Sequence, residues 1–150
     1  MATKITLDNT VKSNLDIVFD LLGGVGVESF LVGFDGGGDD GQVEGVAEIK
    51  PSRKKVVEAA QNLLGDPVEG ARVSDGERWS PSGVEKLWKS DPTMAQMIDS
   101  VCYEALEKVC SGWEINEGSY GVFLFDVKKR TVSLDFNERV IESNLTQYEM

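Results

Sequence analysis

Phe34-Asp35-Gly36-Gly37-Gly38-Asp39-Asp40-Gly41-Gln42-Val43-Glu44-Gly45-Val46 is the stretch on which the fold of this chain turns. On its N-terminal side, from Val27 to Phe34, the side chains Phe30, Val32 and Phe34 alternate with smaller or apolar neighbours. On its C-terminal side Val43, Gly45, Ala47 and Ile49 fall on one face and Glu44, Val46 and Glu48 on the other. A period of two marks a half-buried strand, so the two runs predict an antiparallel hairpin with a glycine-rich connection. Gly36-x-Gly38-x-x-Gly41 formally matches the dinucleotide fingerprint, but that motif works by aiming a helix N-terminus at pyrophosphate. Here a strand follows, and Asp39 and Asp40 would repel phosphate. The glycines read instead as suppliers of positive φ in a long loop.

The same segment concentrates carboxylates. Asp35, Asp39, Asp40 and Glu44 are the oxygen ligands that Mg²⁺ or Ca²⁺ would want held close together. The calcium-hand template fails, because counting from Asp35 the sixth residue is Asp40 rather than Gly and the twelfth is Val46 rather than Glu. A solvated acidic loop is the plain reading and a non-template metal site the sharper one. No other cofactor is expected.

Outward from this hairpin the chain reads as alternating helices and strands. Val11, Leu15, Val18, Phe19 and Leu22 predict a helix over Asp8 to Leu22, capped by Asp8 or Asn9 and stopped at Gly23-Gly24. Ser52 opens a second helix to about Leu64, with Val56, Val57, Ala60, Leu63 and Leu64 inward. Positions 65–91 are the least regular, an insertion with a short helix around Val84, Leu87 and Trp88, and Trp79 is a candidate interface anchor in it. Asp91 and Pro92 then start a long helix to about Ser111. A second hairpin joins Tyr120–Val127 to Arg130–Phe136 through the basic Lys128-Lys129-Arg130 turn. The whole predicts one α+β domain over residues 1–150, an antiparallel sheet built from two hairpins with three main helices on one face.

Composition narrows the chemistry. The chain has 150 residues and no histidine, and 26 acidic against 15 basic residues give a formal charge of −11. Histidine-based nucleophile systems and zinc sites are excluded. An anionic surface repels nucleic acid and anionic membrane and attracts basic protein surfaces, so direct nucleic-acid or membrane binding is not expected. The N-terminus lacks a signal peptide's apolar core, and Cys102 and Cys110, eight positions apart on one predicted helix, stand about 12 Å apart along its axis, too far for a disulfide. Both point to a reducing cytoplasm. In the last third, Asp126 and Asp135 come to matched heights if the strands pair as read. Paired carboxylates do acid–base work when burial raises one pKa.

Two strings carry a resemblance: Gly36-Gly37-Gly38-Asp39-Asp40-Gly41-Gln42-Val43-Glu44, and Trp113-Glu114-Ile115-Asn116-Glu117-Gly118 followed by Leu134-Asp135-Phe136-Asn137-Glu138-Arg139. They resemble an uncharacterised family, a domain of unknown function, of small acidic proteins scattered over bacteria, plasmids and phages. The similarity covers both hairpins, and Gln61 to Ser90 is particular to this chain. It implies a shared α+β fold and a mobile-element setting, and supplies no activity. The reading that follows is a non-enzymatic interaction module with a basic protein partner. One form of it is an inhibitor that covers the nucleic-acid groove of a host defence protein, as DNA-mimicking anti-CRISPR or antirestriction proteins do. Its contact residues would be Asp35, Asp39, Asp40, Glu44, Trp79, Glu114, Glu117, Asp135 and Glu138. Two alternatives are an accessory subunit of a larger assembly and a metal-dependent hydrolase, the latter using Asp35, Asp39, Asp40 and Glu44 with Asp135 and Glu138.

Overall fold

A computed structural model describes residues 3–37, 40–109, 119–138 and 144–150. These form the strands β1 (Thr3–Lys4), β2 (Ser29–Gly37), β3 (Asp40–Lys50), β4 (Arg72–Ser80), β5 (Gly83–Ser90), β6 (Ser119–Asp126), β7 (Thr131–Glu138) and β8 (Asn144–Glu149). The helices are α1 (Asn9–Gly24), α2 (Lys54–Gly65) and α3 (Met94–Val109). A six-stranded sheet runs β1-β8-β7-β6-β2-β3, antiparallel except for the short parallel pair β1–β8, and β4–β5 forms a separate two-stranded ribbon. The α+β architecture and both expected hairpins are present.

The two hairpins meet at the centre of the sheet, where β2 pairs β6. Phe30 opposes Phe125 and Val32 opposes Phe123, while on β7 Leu134 opposes Phe123. All are fully buried. Phe30 and Phe125 stack with ring centroids 4.7 Å apart, and Phe34 and Phe136 stack at 5.8 Å. The helices lay Val18, Phe19, Leu22, Met97, Ile98 and Val101 against this aromatic face. Burying each large apolar side chain stabilises the fold by about 1.5–3 kcal/mol, so this layer dominates the stability.

Helix starts follow local chemistry, with two corrections. Asp8 caps α1, accepting the Thr10 amide at 2.9 Å. On α2 the cap position is Arg53, not Ser52, and no side chain caps it. The start of α3 is a reciprocal capping box rather than Asp91-Pro92: the Gln96 amide donates to Thr93 Oγ1 at 3.2 Å and the Thr93 amide donates to Gln96 Oε1 at 2.9 Å.

Three other expectations change. Positions 72–90 are a hairpin, not an irregular insertion with a short helix: Trp79 pairs Val84 and Ser80 pairs Gly83 across Pro81-Ser82. Val84, Leu87 and Trp88 mimic helical spacing, and a register shift between Ser74 and Glu77 breaks the alternation on β4. Second, the acidic stretch is strand on both sides, paired as far as Gly36–Gly41 and Gly37–Asp40, so it is no long loop. Third, β3 does not alternate simply. Register shifts opposite Ser29–Leu31 and Gly33–Phe34, with Gly45 at φ +94°, bring Val43, Val46 and Ile49 toward the core. A bulge adds a residue to one strand and flips the faces beyond it, which moves Val46 inward and leaves Ala47 exposed. The bulges also blunt an edge strand, and the Val43 amide donates to Tyr103 Oη from α3 at 3.0 Å.

Candidate functional site

All three helices pack on the face carrying the phenylalanines, and among the described residues no helix covers the opposite face of the main sheet. Strand alternation assigns that outer face. Cross-strand register lines up Leu31, Leu124 and Ser133 in one row, Gly33, Val122, Asp135 and Gln147 in the next, and Asp35, Tyr120 and Asn137 in the third. Leu124 is 40% and Tyr120 37% exposed, although both are large side chains on a central strand. Glu44, displaced by the bulge, lies over Gly33, its carboxylate 3.5 Å from where a Cβ would stand. An apolar centre is thus rimmed by Asp35, Glu44, Asp126, Asp135 and Glu149.

Among the residues singled out from sequence, Asp35, Glu44 and Asp135 converge on this face. Asp135 accepts from Gln147 Nε2 at 3.2 Å. Asp40 and Glu138 are placed by their backbone pairing alone, with Gly37 and with Ser119 and Asn144. Asp39, Glu114 and Glu117 lie outside the described residues, as do Trp113 and Cys110. Trp79 is not part of the face: it stands 81% exposed on the β4–β5 ribbon, which packs on α1 and α3. Asp126 and Asp135 are not at matched heights. Asp126 opposes Thr131 at the turn, where it accepts the Lys129 amide at 2.9 Å, and Asp135 opposes Val122, four residues further along. At about 3.3 Å per residue that offset precludes a shared proton. Among the described residues no group of three His, Cys, Asp or Glu side chains is arranged to hold a metal ion. Nor, among them, is any helix long and apolar enough to cross a membrane.

A second feature has no counterpart in the sequence reading. Where the β4–β5 ribbon leans on α1 and α3 a cleft of about 690 Å³ opens, with Arg72, Trp88 and Lys89 on the ribbon side and Asp99, Tyr103 and Glu107 on α3. Asn14 of α1, 3% exposed, ties the ribbon down by donating its Nδ2 to the Arg72 carbonyl at 2.8 Å. The Arg72 guanidinium lies 4.4 Å from the centroid of the Trp88 ring, a cation–π contact. These groups are far apart in sequence and only packing unites them.

Burial pushes the Asp99 carboxyl above its ordinary value of 3.8, and no described cation offsets the loss of water. Burial, and secondarily the Asp99 charge, drives the thiol of fully buried Cys102 well up, so it stays protonated and unreactive. A carboxyl raised on folding favours the native state while protonated and loses that contribution as pH rises through its folded pKa. Asp99→Asn is therefore expected to melt higher than the parent at pH 7. The gap should shrink below about pH 4, where both proteins are neutral at this site. Melting curves across that range check it, and a parent that melts higher at pH 7 contradicts the desolvation account.

The chain belongs to DUF6878, a family of unknown function, whose match spans residues 10–150 and so includes the ribbon and the cleft. No curated protein and no solved structure matches the chain.

Proposed function

We propose that this member of DUF6878 is a non-enzymatic binding protein that docks a basic protein partner on the outer face of its main sheet. The observation that carries the reading is the apolar centre of Leu31, Val122 and Leu124, which no helix among the described residues covers and which carboxylates enclose. A dry apolar core within a polar rim is the anatomy of a protein–protein interface, and the acidic rim selects a cationic partner and speeds its approach. Lys50 stands at one corner of the face, where it pairs Ser29. In its narrower form the partner is a nucleic-acid-binding protein of a host defence system, and the chain an inhibitor of phage or mobile-element origin acting in the cytoplasm. The net charge of −11 supports that form.

The test is capture from host lysate by the parent and by Leu124→Lys at about 50 and 500 mM salt, with the partner identified. Leu124 is surface-exposed, so the substitution should change stability by no more than about 0.5 kcal/mol. Placing a cation at the apolar centre should weaken capture roughly thirtyfold. High salt should weaken it too, and competition by duplex DNA would favour the groove-blocking form. Capture of the same protein by Leu124→Lys, or indifference to salt, overturns the reading. A melting shift with millimolar Mg²⁺ or Ca²⁺ that Asp35→Asn abolishes would put metal-dependent hydrolysis in its place.

A further inference from the structure

The cleft between α1, α3 and the β4–β5 ribbon has two walls of opposite charge. Arg72 and Lys89 come from adjacent strands of the ribbon, where Arg72 pairs Ser90 and Val73 pairs Lys89. Asp99, Glu104 and Glu107 come from α3. If these walls touched, salt bridges would close the gap, yet among the described residues the ion pairs are Arg78–Glu85 and those of Arg130 with Asp16 and Asp20, none of them across the cleft. Arg72 is held over Trp88 instead, and Glu104 Oε2 accepts the Asp8 amide at 2.9 Å. Asn14 is buried with its Nδ2 committed to the Arg72 carbonyl, which leaves Oδ1 as an acceptor on a residue lining the cleft. Val11, Val73 and the Trp88 ring supply apolar surface between the charged walls.

Two facing walls that do not neutralise one another are complementary to a molecule carrying both charges. We infer that this cleft binds a small zwitterion of amino-acid or short-peptide chemistry, its carboxylate against Arg72 and Lys89 and its ammonium against Asp99 and the neighbouring carboxylates of α3. A guanidinium fork suits a carboxylate, and a desolvated carboxylate regains its lost hydrogen bonds from an ammonium. The volume of about 690 Å³ sits in the range of small-ligand sites. An extended tripeptide spans about 10 Å between its charged ends, which a single amino acid does not. The cleft shares no residue with the outer sheet face, so its occupancy is separable from docking there.

Calorimetric titration of the full chain with free trialanine, with N-acetylated and C-amidated trialanine and with L-arginine, each to about 10 mM, tests the inference. Free trialanine or L-arginine should bind with a Kd of about 1 mM or tighter, and whichever binds identifies a peptide or a free amino acid as the source. The blocked peptide should bind at least about tenfold weaker, and Asp99→Asn and Arg72→Gln should each weaken the free ligand by about the same factor. Leu124→Lys should bind as the parent does. Melting curves confirm that the variants are folded. No heat from any ligand, equal binding of blocked and free peptide, or parent-like binding by either cleft variant overturns the inference.

Discussion

Gly121→Ala is expected to lower stability by about 3 kcal/mol or more, a fall in melting temperature of roughly 6–12 °C for a chain of this size. Gly121 sits on β6 between Phe34 of β2 and Phe136 of β7, on the same inward face as the large side chains Phe123 and Phe125. The two rings stack across the space it leaves, centroids 5.8 Å apart and planes 20° from parallel. A Cβ at Gly121 would overlap the Asp135 carbonyl oxygen and press to 3.0 Å on Cε1 of Phe34. Rotamer changes relieve a clash with a side chain, but an overlap with backbone moves a strand. Because Asp135 also presents its carboxylate on the outer face, the same shift should weaken partner capture. Urea denaturation of the variant checks the first effect, and a loss below about 1 kcal/mol would mean the strands separate more easily than the packing implies.

Phe123→Ala should cost about 4 kcal/mol, a large share of the roughly 5–15 kcal/mol that holds a domain folded. The ring is fully buried at the centre of the sheet, with Phe34 at 5.7 Å and Phe125 at 6.4 Å, and Val32 and Leu134 opposite it on the flanking strands. Its removal leaves a hole that neighbours anchored in three strands cannot collapse to fill. Its sequence neighbour Leu124 points the other way, and Leu124→Lys should leave stability nearly unchanged while weakening partner capture. The contrast between two adjacent residues tests the assignment of the sheet's faces as well as their energies. If Phe123→Ala were as mild as Leu124→Lys, the helices would not cover the face assigned to them.

Both mutations act through contacts that no local pattern announces. The alternation Phe123, Phe125 and Leu134, Phe136 marks a half-buried hairpin, but nothing in it says that Gly121 is flanked by two rings from other strands. The ribbon β4–β5 was obscured for a related reason. Val84, Leu87 and Trp88 satisfy a helical spacing as well as a strand, and the register shift near Ser74 removes the alternation that would decide. Thr93-x-x-Gln96 carries the capping-box pattern, and Asp91-Pro92, the more conspicuous start signal, lies two residues before it.

The sequence by itself determined the three helices, the two central hairpins, the α+β class, the anionic field and the exclusion of histidine chemistry. Each of these depends on residues within a turn or a strand of one another, or on composition alone. Only the tertiary structure decided that Asp35, Glu44 and Asp135 share one face of the sheet, that Trp79 and Asp126 stand apart from Asp135, and that Arg72 and Asp99 line one cleft. Those facts require strand order, bulge position and helix packing, which are settled by the burial of aromatic side chains far apart in the chain. A one-residue bulge on β3 was enough to turn Val46 inward and Ala47 outward, because side-chain direction in a strand reverses with every residue added.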